Sequence, residues 1–335
     1  MLVRAERESN MATYASKLRD TGVDGSTITL DEAGCIRSGL EMEPFNAKGH
    51  PSVFYVDGNR SNQGDGKTWA TAFNSLAYGL AAAHSYMSTS SNRAWAHRAK
   101  VYVCGDALTE DLTKFAEKTD VIGVGSCNQH PRVRIDGTHV LEAATSDTYH
   151  GCRFFNIEFY GAAAGIIVDI PANQNGICFY NCVFSSTDAA TIGLRQTQSH
   201  DMKIVNCCFD PNTSGTGFST AAIQVNAGVL TNFELRDCRI YSGAIGVDFN
   251  CTTGQAINCW AIDNLIYSTG IGIDSEDDTL GLLVVGNRMI TATDTTTYTA
   301  GFDFPLRRSL GNIITGQDET DMVPNVISGA AANSA

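Results

Sequence analysis

The apolar and polar positions of this chain repeat one six-residue phrase, apolar-x-Asn-apolar-x-apolar, as in residues 179–184. The central Asn, which is Asp in one copy, marks each of seven repeats: Asn156, Asn181, Asn206, Asp237, Asn264, Asn287 and Asn312. Successive markers are 25, 25, 31, 27, 23 and 25 residues apart. A period in the twenties built from short alternating segments predicts a solenoid, in which each repeat buries its apolar side by stacking on its neighbours.

Two solenoid folds have repeats of this kind, the leucine-rich repeat and the parallel β-helix. Alternating apolar positions rich in Val, Ile and Phe favour strands, and hence the β-helix. Asn accepts the left-handed backbone conformation needed between two strands, and its amide can bond to the Asn one turn away. The phrase resembles the asparagine ladder of right-handed parallel β-helix proteins, the pectate-lyase-like superfamily that includes pectate lyases and phage tailspikes. The resemblance spans about residues 100–316 and implies an all-β, right-handed parallel β-helix solenoid.

Residues two apart on a strand share a face, so the aligned copies also predict which side chains fill the lumen. Apolar residues stand two positions before the marker at Phe154, Phe179, Ile204, Leu235, Ile262, Val285 and Leu310. They also stand three positions after it at Phe159, Phe184, Phe209, Ile240, Tyr267 and Ile290. The residue directly after the marker also points inward, and in three successive copies it is Cys182, Cys207 and Cys238. We expect these thiols to be stacked, buried and reduced.

Composition narrows the class of protein. The chain has 335 residues, 32 Gly and only 18% charged residues, which suits a β solenoid better than a helical protein. A formal net charge of −13 argues against nucleic acid as a partner. Eleven cysteines show no disulfide-scaffold spacing, and the first residues contain no apolar core of a signal peptide. The sequence therefore indicates a protein without membrane insertion that is kept in a reducing cytosol, as a virion component assembled inside its host would be.

Two segments flank the repeats at the chain ends. Residues 1–50 are predicted to be an N-terminal arm that binds a capsid or tail protein, or a neighbouring subunit, and the alternative is a flexible leader. Residues 317–335 form a C-terminal tail that carries no recognisable chemistry.

Residues 51–99 read as an opening strand, a polar loop and an amphipathic helix. The helix and the residues before it place Phe73, Leu76, Leu80 and Ala83 on one face, so we expect this segment to close the open end of the lumen. The loop carboxylates of Asp57 and Asp65 are a candidate Ca²⁺ site, with ordinary turn chemistry as the alternative. No other cofactor or metal is expected.

An acid recurs on the outward face of the strand that follows each repeat. The column contains Asp169, Asp248, Asp274 and Asp303, with Gly193 and Gln224 expected at the remaining two positions. Asp248, Asp274 and Asp303 would lie on successive turns, the first and last about 10 Å apart, a spacing in the range of paired glycosidase carboxylates. The alternative is a solvated structural face. Lyase chemistry is less favoured, because no Arg base is expected in register with the acids.

Apolar residues also fall on the predicted outer faces. They stand one position before the marker and two positions after it: Phe155, Tyr180, Val205, Val183, Ile266 and Met289. Contiguous exposed apolar residues mark interfaces, so we predict a homo-oligomer, most simply a homotrimer of parallel solenoids. Cover by the N-terminal arm or by loops is the alternative.

Two functions remain open at this stage. The first is a bacteriophage virion structural protein, a capsid-decoration, head-fibre or tail-fibre subunit that projects its β-helix from the particle. The second is a tailspike-like polysaccharide depolymerase, a glycoside hydrolase or lyase, that uses Asp248, Asp274 and Asp303 on a host-surface polysaccharide. We expect the non-enzymatic function.

Overall fold

The computed structural model describes residues 29–30, 36–37, 52–88, 98–124, 133–142, 150–161, 164–171, 174–186, 190–197, 200–210, 218–226, 230–249, 256–275, 282–291, 302–303, 309–310 and 313–315. The chain divides into two compact units, Met1–Pro51 and Ser52–Ala335. In the first unit, the strands Thr29–Leu30 and Ile36–Arg37 pair antiparallel.

The second unit is a right-handed parallel β-helix built from three parallel sheets, which confirms the predicted fold class. Sheet 1 has ten strands: Val53–Asp57, Ala99–Cys104, Thr119–Gly123, Arg153–Phe155, Cys178–Tyr180, Lys203–Val205, Glu234–Arg236, Cys259–Ile262, Leu282–Val285 and Ser309–Leu310. Sheet 2 has nine strands: Ala107–Thr109, Val133–Asp136, Ile157–Gly161, Val183–Ser186, Cys208–Phe209, Arg239–Ser242, Leu265–Ser268, Arg288–Thr291 and Ile313–Thr315. Sheet 3 has seven strands: His139–Val140, Ile166–Ile170, Ile192–Gln196, Ala221–Val225, Ile245–Phe249, Ile271–Ser275 and Phe302–Asp303. The strands Leu230–Thr231 and Ala256–Ile257 form a small parallel pair.

Aromatic stacks fill the lumen, because inward residues of consecutive turns lie in register. Phe154 and Phe179 stack with ring centroids 5.5 Å apart on sheet 1. Phe184 and Phe209 stack at 4.5 Å on sheet 2. All four side chains are fully buried, as the repeat pattern predicts. Each turn therefore buries apolar surface only because the next turn covers it.

A helix closes the N-terminal end of the lumen, as the sequence predicts. It spans Leu76–Ser88, after a short 3-10 helix at Trp69–Thr71. Phe73, Leu76, Leu80 and Ala83 are all buried against the core. Gly79 lets the helix approach the lumenal side chains closely, because a Cβ atom there would meet Cγ2 of Val56 at 2.7 Å.

The capping helix is fixed by a carboxylate from outside it. Glu110 accepts hydrogen bonds from the backbone N–H of Leu76 at 2.6 Å, the N–H of Ala77 at 2.9 Å and the hydroxyl of Ser75 at 2.6 Å. The first N–H groups of a helix have no partner within the helix, and a negative charge there is favourable. Glu110 thus joins the helix to the segment that follows the strand Ala107–Thr109.

Candidate functional site

Asparagines form a ladder of left-handed residues between sheet 1 and sheet 2. Asn156, Asn181, Asn206 and Asp237 have φ angles of 58°, 53°, 53° and 55°. The amide of Asn181 donates to Oδ1 of Asn156 at 3.3 Å, and the amide of Asn206 donates to Oδ1 of Asn181 at 3.5 Å. The predicted ladder is confirmed for these three asparagines.

The prediction that Asn264 and Asn287 continue this ladder is wrong. The left-handed residues of their turns are Asp263 and Gly286, with φ angles of 54° and 67°. Arg236 pairs with Ile262, so the residue in line with Asp237 is Asp263. Asn264 and Asn287 stand one position later and are 1% and 0% exposed. Asn312 lies outside the described residues.

Asn264 and Asn287 instead extend the predicted thiol column inside the lumen. Cys182, Cys207 and Cys238 are buried and form no disulfide, as expected. The N–H of Cys182 donates to Sγ of Cys207, and the N–H of Cys207 donates to Sγ of Cys238, both at 3.4 Å. The N–H of Cys238 donates to Oδ1 of Asn264, and the N–H of Asn264 donates to Oδ1 of Asn287, both at 3.0 Å. Burial raises the pKa of Cys207, which keeps it as a thiol.

The column therefore serves backbone donors rather than chemistry at the surface. Four of these side chains accept a hydrogen bond from the backbone N–H of the column residue one turn earlier: Cys207, Cys238, Asn264 and Asn287. A buried N–H without a partner costs roughly 1–3 kcal/mol, so an acceptor at this position stabilises each of these four turns.

The outer apolar residues fall into two groups. Phe155, Tyr180 and Val205 face outward on sheet 1, and Val183 faces outward on sheet 2, as the repeats predict. Each is half-buried, whereas the prediction was an exposed column. The rings of Phe155 and Tyr180 stack at 5.0 Å with only 10° between their planes. Burial raises the pKa of Tyr180 to about 12.

Ile266 and Met289 are corrections to the predicted interface, because both are fully buried in the lumen. The one-residue offset of Asn264 and Asn287 explains this, since a shift of one residue moves a side chain to the other face of a strand. The predicted lumenal residue Tyr267 is 42% exposed for the same reason. The lumen positions on sheet 1 are likewise taken by Ala261 and Val284, in place of Ile262 and Val285.

Ion pairs border the apolar column of sheet 1. The carboxylate of Asp120 accepts hydrogen bonds from Nε of Arg98 at 2.8 Å and from Nε of Arg153 at 2.7 Å. Burial opposes the charge on Asp120, but the hydrogen bonds from Arg153 and Arg98 outweigh burial and lower the pKa of this carboxyl. Further along the same face, Lys203 donates to Glu234 at 2.8 Å.

The predicted acid column exists on sheet 3. Backbone register aligns six residues on consecutive strands: Asp169, Arg195, Gln224, Asp248, Asp274 and Asp303. Arg195 occupies the position expected for Gly193, so the expectation that no Arg lies in register with the acids is wrong. The predicted alignment is two residues out, and residues two apart on a strand lie on the same face.

Two of the acids are bound to neighbours in the column. Arg195 donates from Nε to Oδ1 of Asp169 at 2.9 Å and from Nη2 to Oδ2 at 2.6 Å. Gln224 donates from Nε2 to Oδ2 of Asp248 at 2.8 Å. Asp248 is only 8% exposed, in contrast to the solvated carboxylate expected for a structural face, whereas Asp274 is half-buried.

A second column of left-handed residues escaped sequence analysis. Gly151, Gly176, Asp201, Asn232 and Asn258 have positive φ angles between 55° and 77°. Each stands five residues before a residue of the first column, so a short sheet 1 strand is bounded by a left-handed residue at both ends. The amide of Asn232 donates to Oδ1 of Asp201 at 2.7 Å. The sequence does carry a signal for this second column, because a Gly, Asp or Asn stands five residues before each residue of the first column.

The candidate Ca²⁺ loop uses its carboxylates as turn groups. Oδ1 of Asp57 accepts the N–H of Asn59, and Oδ1 of Asp65 accepts the N–H of Lys67, both at 3.0 Å. The side-chain hydrogen bond from Thr71 lowers the pKa of Asp65. Within the described ranges, no three His, Cys, Asp or Glu side chains group as a metal site. No helix of the described part of the chain is long and apolar enough to cross a membrane.

The fold and its surfaces define a right-handed parallel β-helix protein with ordered outer columns. Comparison with protein families, with curated proteins and with solved structures finds no match to this chain.

Proposed function

We propose that the chain is a structural protein of a bacteriophage virion, a capsid-decoration, head-fibre or tail-fibre subunit that assembles as a homotrimer. The apolar column on the outer face of sheet 1 is the observation that carries this proposal. Residues on five consecutive strands lie in register and are half-buried: Tyr102, Ile122, Phe155, Tyr180 and Val205. At about 4.8 Å per strand the column is roughly 20 Å long.

The surroundings of this column have the composition of an interface. Aromatic residues are enriched at the centre of protein–protein interfaces, and the rim is polar. The ion pairs of Asp120 and of Glu234 border the column on the same face of sheet 1. A parallel bundle of three solenoids would bury such a column along its whole length. Residues 1–50 are proposed to attach the subunit to a capsid or tail protein.

The oligomeric state of the purified full-length chain tests the assembly. We expect a trimer at micromolar concentration by analytical ultracentrifugation. The double variant Phe155→Ser/Tyr180→Ser should dissociate to monomer, because it removes the two stacked rings from the proposed interface. Val140→Ser is the control at an exposed residue of sheet 3 and should remain trimeric. A wild-type chain that stays monomeric would overturn the proposed assembly.

The virion location needs a separate measurement. Phage particles purified through a density gradient from a producing culture should contain the chain at a fixed ratio to the major capsid protein, as measured by quantitative mass spectrometry. Its loss from banded particles, with recovery only in the soluble lysate, would contradict a structural role in the virion.

A depolymerase is the second candidate, favoured by one observation. Asp274 lies in register with Asp248, one strand spacing or about 5 Å away, close to the carboxyl separation of retaining glycosidases. Arg195 in the same column also restores a basic group for a lyase. Depolymerisation of a host-surface polysaccharide by the purified chain, abolished by Asp274→Asn, would establish this activity. We expect no depolymerisation, because Asp169 and Asp248 are bound by Arg195 and Gln224.

A further inference from the structure

We propose that the outer face of sheet 2 binds an acidic polysaccharide along the strands Arg239–Ser242, Leu265–Ser268 and Arg288–Thr291. This surface lies on a different sheet from the proposed subunit interface, and its function does not depend on the virion role. The name glycan face is used below for its residues, which are Arg239, Tyr241, Leu265, Tyr267, Arg288 and Ile290.

The glycan face consists of two columns in register. Arg239, Leu265 and Arg288 form one column, and Tyr241, Tyr267 and Ile290 form the other. Tyr241 is 36% exposed and Tyr267 is 42% exposed, which places both among the most exposed large apolar side chains that the structure describes. Their ring centroids are 6.3 Å apart, with 42° between the planes. The two rings thus form a continuous aromatic surface across two turns.

The arginines of the glycan face differ from the other arginines on the three sheets. Arg153 pairs with Asp120, Arg195 pairs with Asp169, and Arg236 pairs with Glu234. Arg239 and Arg288 are exposed, and neither has a carboxylate partner within the described part of the chain. In a chain of net charge −13, two exposed guanidinium groups that have no carboxylate partner among the described residues, beside exposed tyrosines, indicate an anionic partner.

The spacing of the charges selects the kind of anion. Arg239 and Arg288 are two strands apart, or roughly 10 Å, with a tyrosine on the strand between them. Duplex DNA carries a phosphate charge about every 1.7 Å along its axis, far closer than the spacing of the two arginines. The net negative charge of the chain would also repel so dense a row of phosphates. An extended glycan with one carboxylate in every two sugar units matches the arginine spacing far better. Guanidinium groups bind carboxylates in a bidentate manner, and tyrosine rings pack against the apolar faces of sugars.

Binding of the full-length chain to three polymers tests this inference: hyaluronate with one carboxylate per two sugars, polygalacturonate with one per sugar, and uncharged dextran. We expect hyaluronate to bind in isothermal titration calorimetry and dextran not to bind. The double variant Arg239→Gln/Arg288→Gln should weaken hyaluronate binding by at least about tenfold, since each of its two substitutions removes one charge-assisted contact. Arg236→Gln is the matched control on sheet 1 and should leave binding unchanged.

A separate variant checks the aromatic contribution. Tyr267→Ser should weaken hyaluronate binding while the circular dichroism spectrum stays unchanged, because the side chain is exposed. Absence of binding to both acidic polymers, or equal binding by the double arginine variant, would overturn the inference. A double arginine variant that loses its oligomeric state would show that the face contacts an acidic protein surface instead, and would overturn it as well. The particle-location measurement is unaffected by any of these outcomes.

Discussion

The turns up to Cys238 and the turns after it meet the same two backbone requirements, a left-handed residue outside and a hydrogen-bond acceptor inside, with different residues. In the earlier turns an Asn, or Asp237 in the turn of Cys238, takes the left-handed position outside, and a Cys accepts the backbone N–H inside. In the later turns Asp263 and Gly286 take the left-handed position, and Asn264 and Asn287 are the inner acceptors. Asparagine therefore performs two unrelated tasks in one solenoid, separated by a single position.

Backbone requirements, rather than residue identity, keep the turns in line. A left-handed position accepts Asn, Asp or Gly, because these residues carry the smallest penalty at positive φ. The inner position accepts any side chain of suitable size with a hydrogen-bond acceptor. Aligning the repeats on Asn alone shifts the later turns by one residue, and every side chain then changes face.

The largest expected effect comes from removing an inner acceptor. Oδ1 of Asn264 accepts from Cys238, and its Nδ2 donates to Leu235 O at 3.2 Å and to Oδ1 of Asn287 at 2.8 Å. Asn264→Ala should lower the free energy of unfolding by about 4 kcal/mol, because it leaves buried polar groups without partners. Urea unfolding followed by circular dichroism measures the change.

Asn264→Cys tests whether a thiol can replace the amide in a later turn, because it introduces the acceptor used by the earlier turns. We expect it to recover about half of the stability lost in Asn264→Ala, since Sγ can accept the N–H of Cys238 but cannot replace the amide donor. If the Cys variant were no more stable than the Ala variant, the thiol and amide turns would not be equivalent.

The earlier region also holds a buried titratable group close to the capping helix. His139 is fully buried, and its Nδ1 accepts the N–H of Leu112 at 3.1 Å. Burial lowers the pKa of His139 to about 4, below its ordinary 6.5. The unfolded chain therefore binds this proton before the folded chain does, so stability is lost as the pH falls from 6.5 towards 4, by about 3 kcal/mol in total.

Urea unfolding of the wild type between pH 7 and pH 4.5 measures this loss. His139→Gln is the control, because glutamine keeps a side-chain acceptor for Leu112 and does not titrate in this range. The variant should lose less stability than the wild type over the same interval. If both proteins lost the same free energy of unfolding over this pH range, protonation of His139 would not be the cause of the loss.

The fold can be predicted from the sequence, because strand alternation and a repeated left-handed residue are local properties of the chain. The same reasoning placed Phe154, Phe179 and the three stacked cysteines correctly in the lumen. It could not place Ile266 and Tyr267, because each of these two adjacent residues is apolar enough to lie inside or outside the lumen. Only the pairing of their strand with the previous turn determines which face each side chain takes. It also missed Arg195 opposite Asp169, since loops of unequal length precede the two strands and hide their register.

The smallest expected effect concerns the outer ladder, and it separates the two tasks of asparagine. Asn181→Ala should cost about 1 kcal/mol, because alanine is strained at a φ of 53° and the ladder hydrogen bonds are lost. Asn181→Gly should cost less than about 0.5 kcal/mol, because glycine adopts this φ freely, as Gly286 does in a later turn. At the inner position the order should reverse: Asn287→Gly removes a buried acceptor and gains nothing from backbone freedom, so it should cost at least as much as Asn287→Ala. Urea unfolding of these four variants compares the two sites directly. Equal tolerance of glycine at residues 181 and 287 would contradict the division of roles between the outer ladder and the inner column.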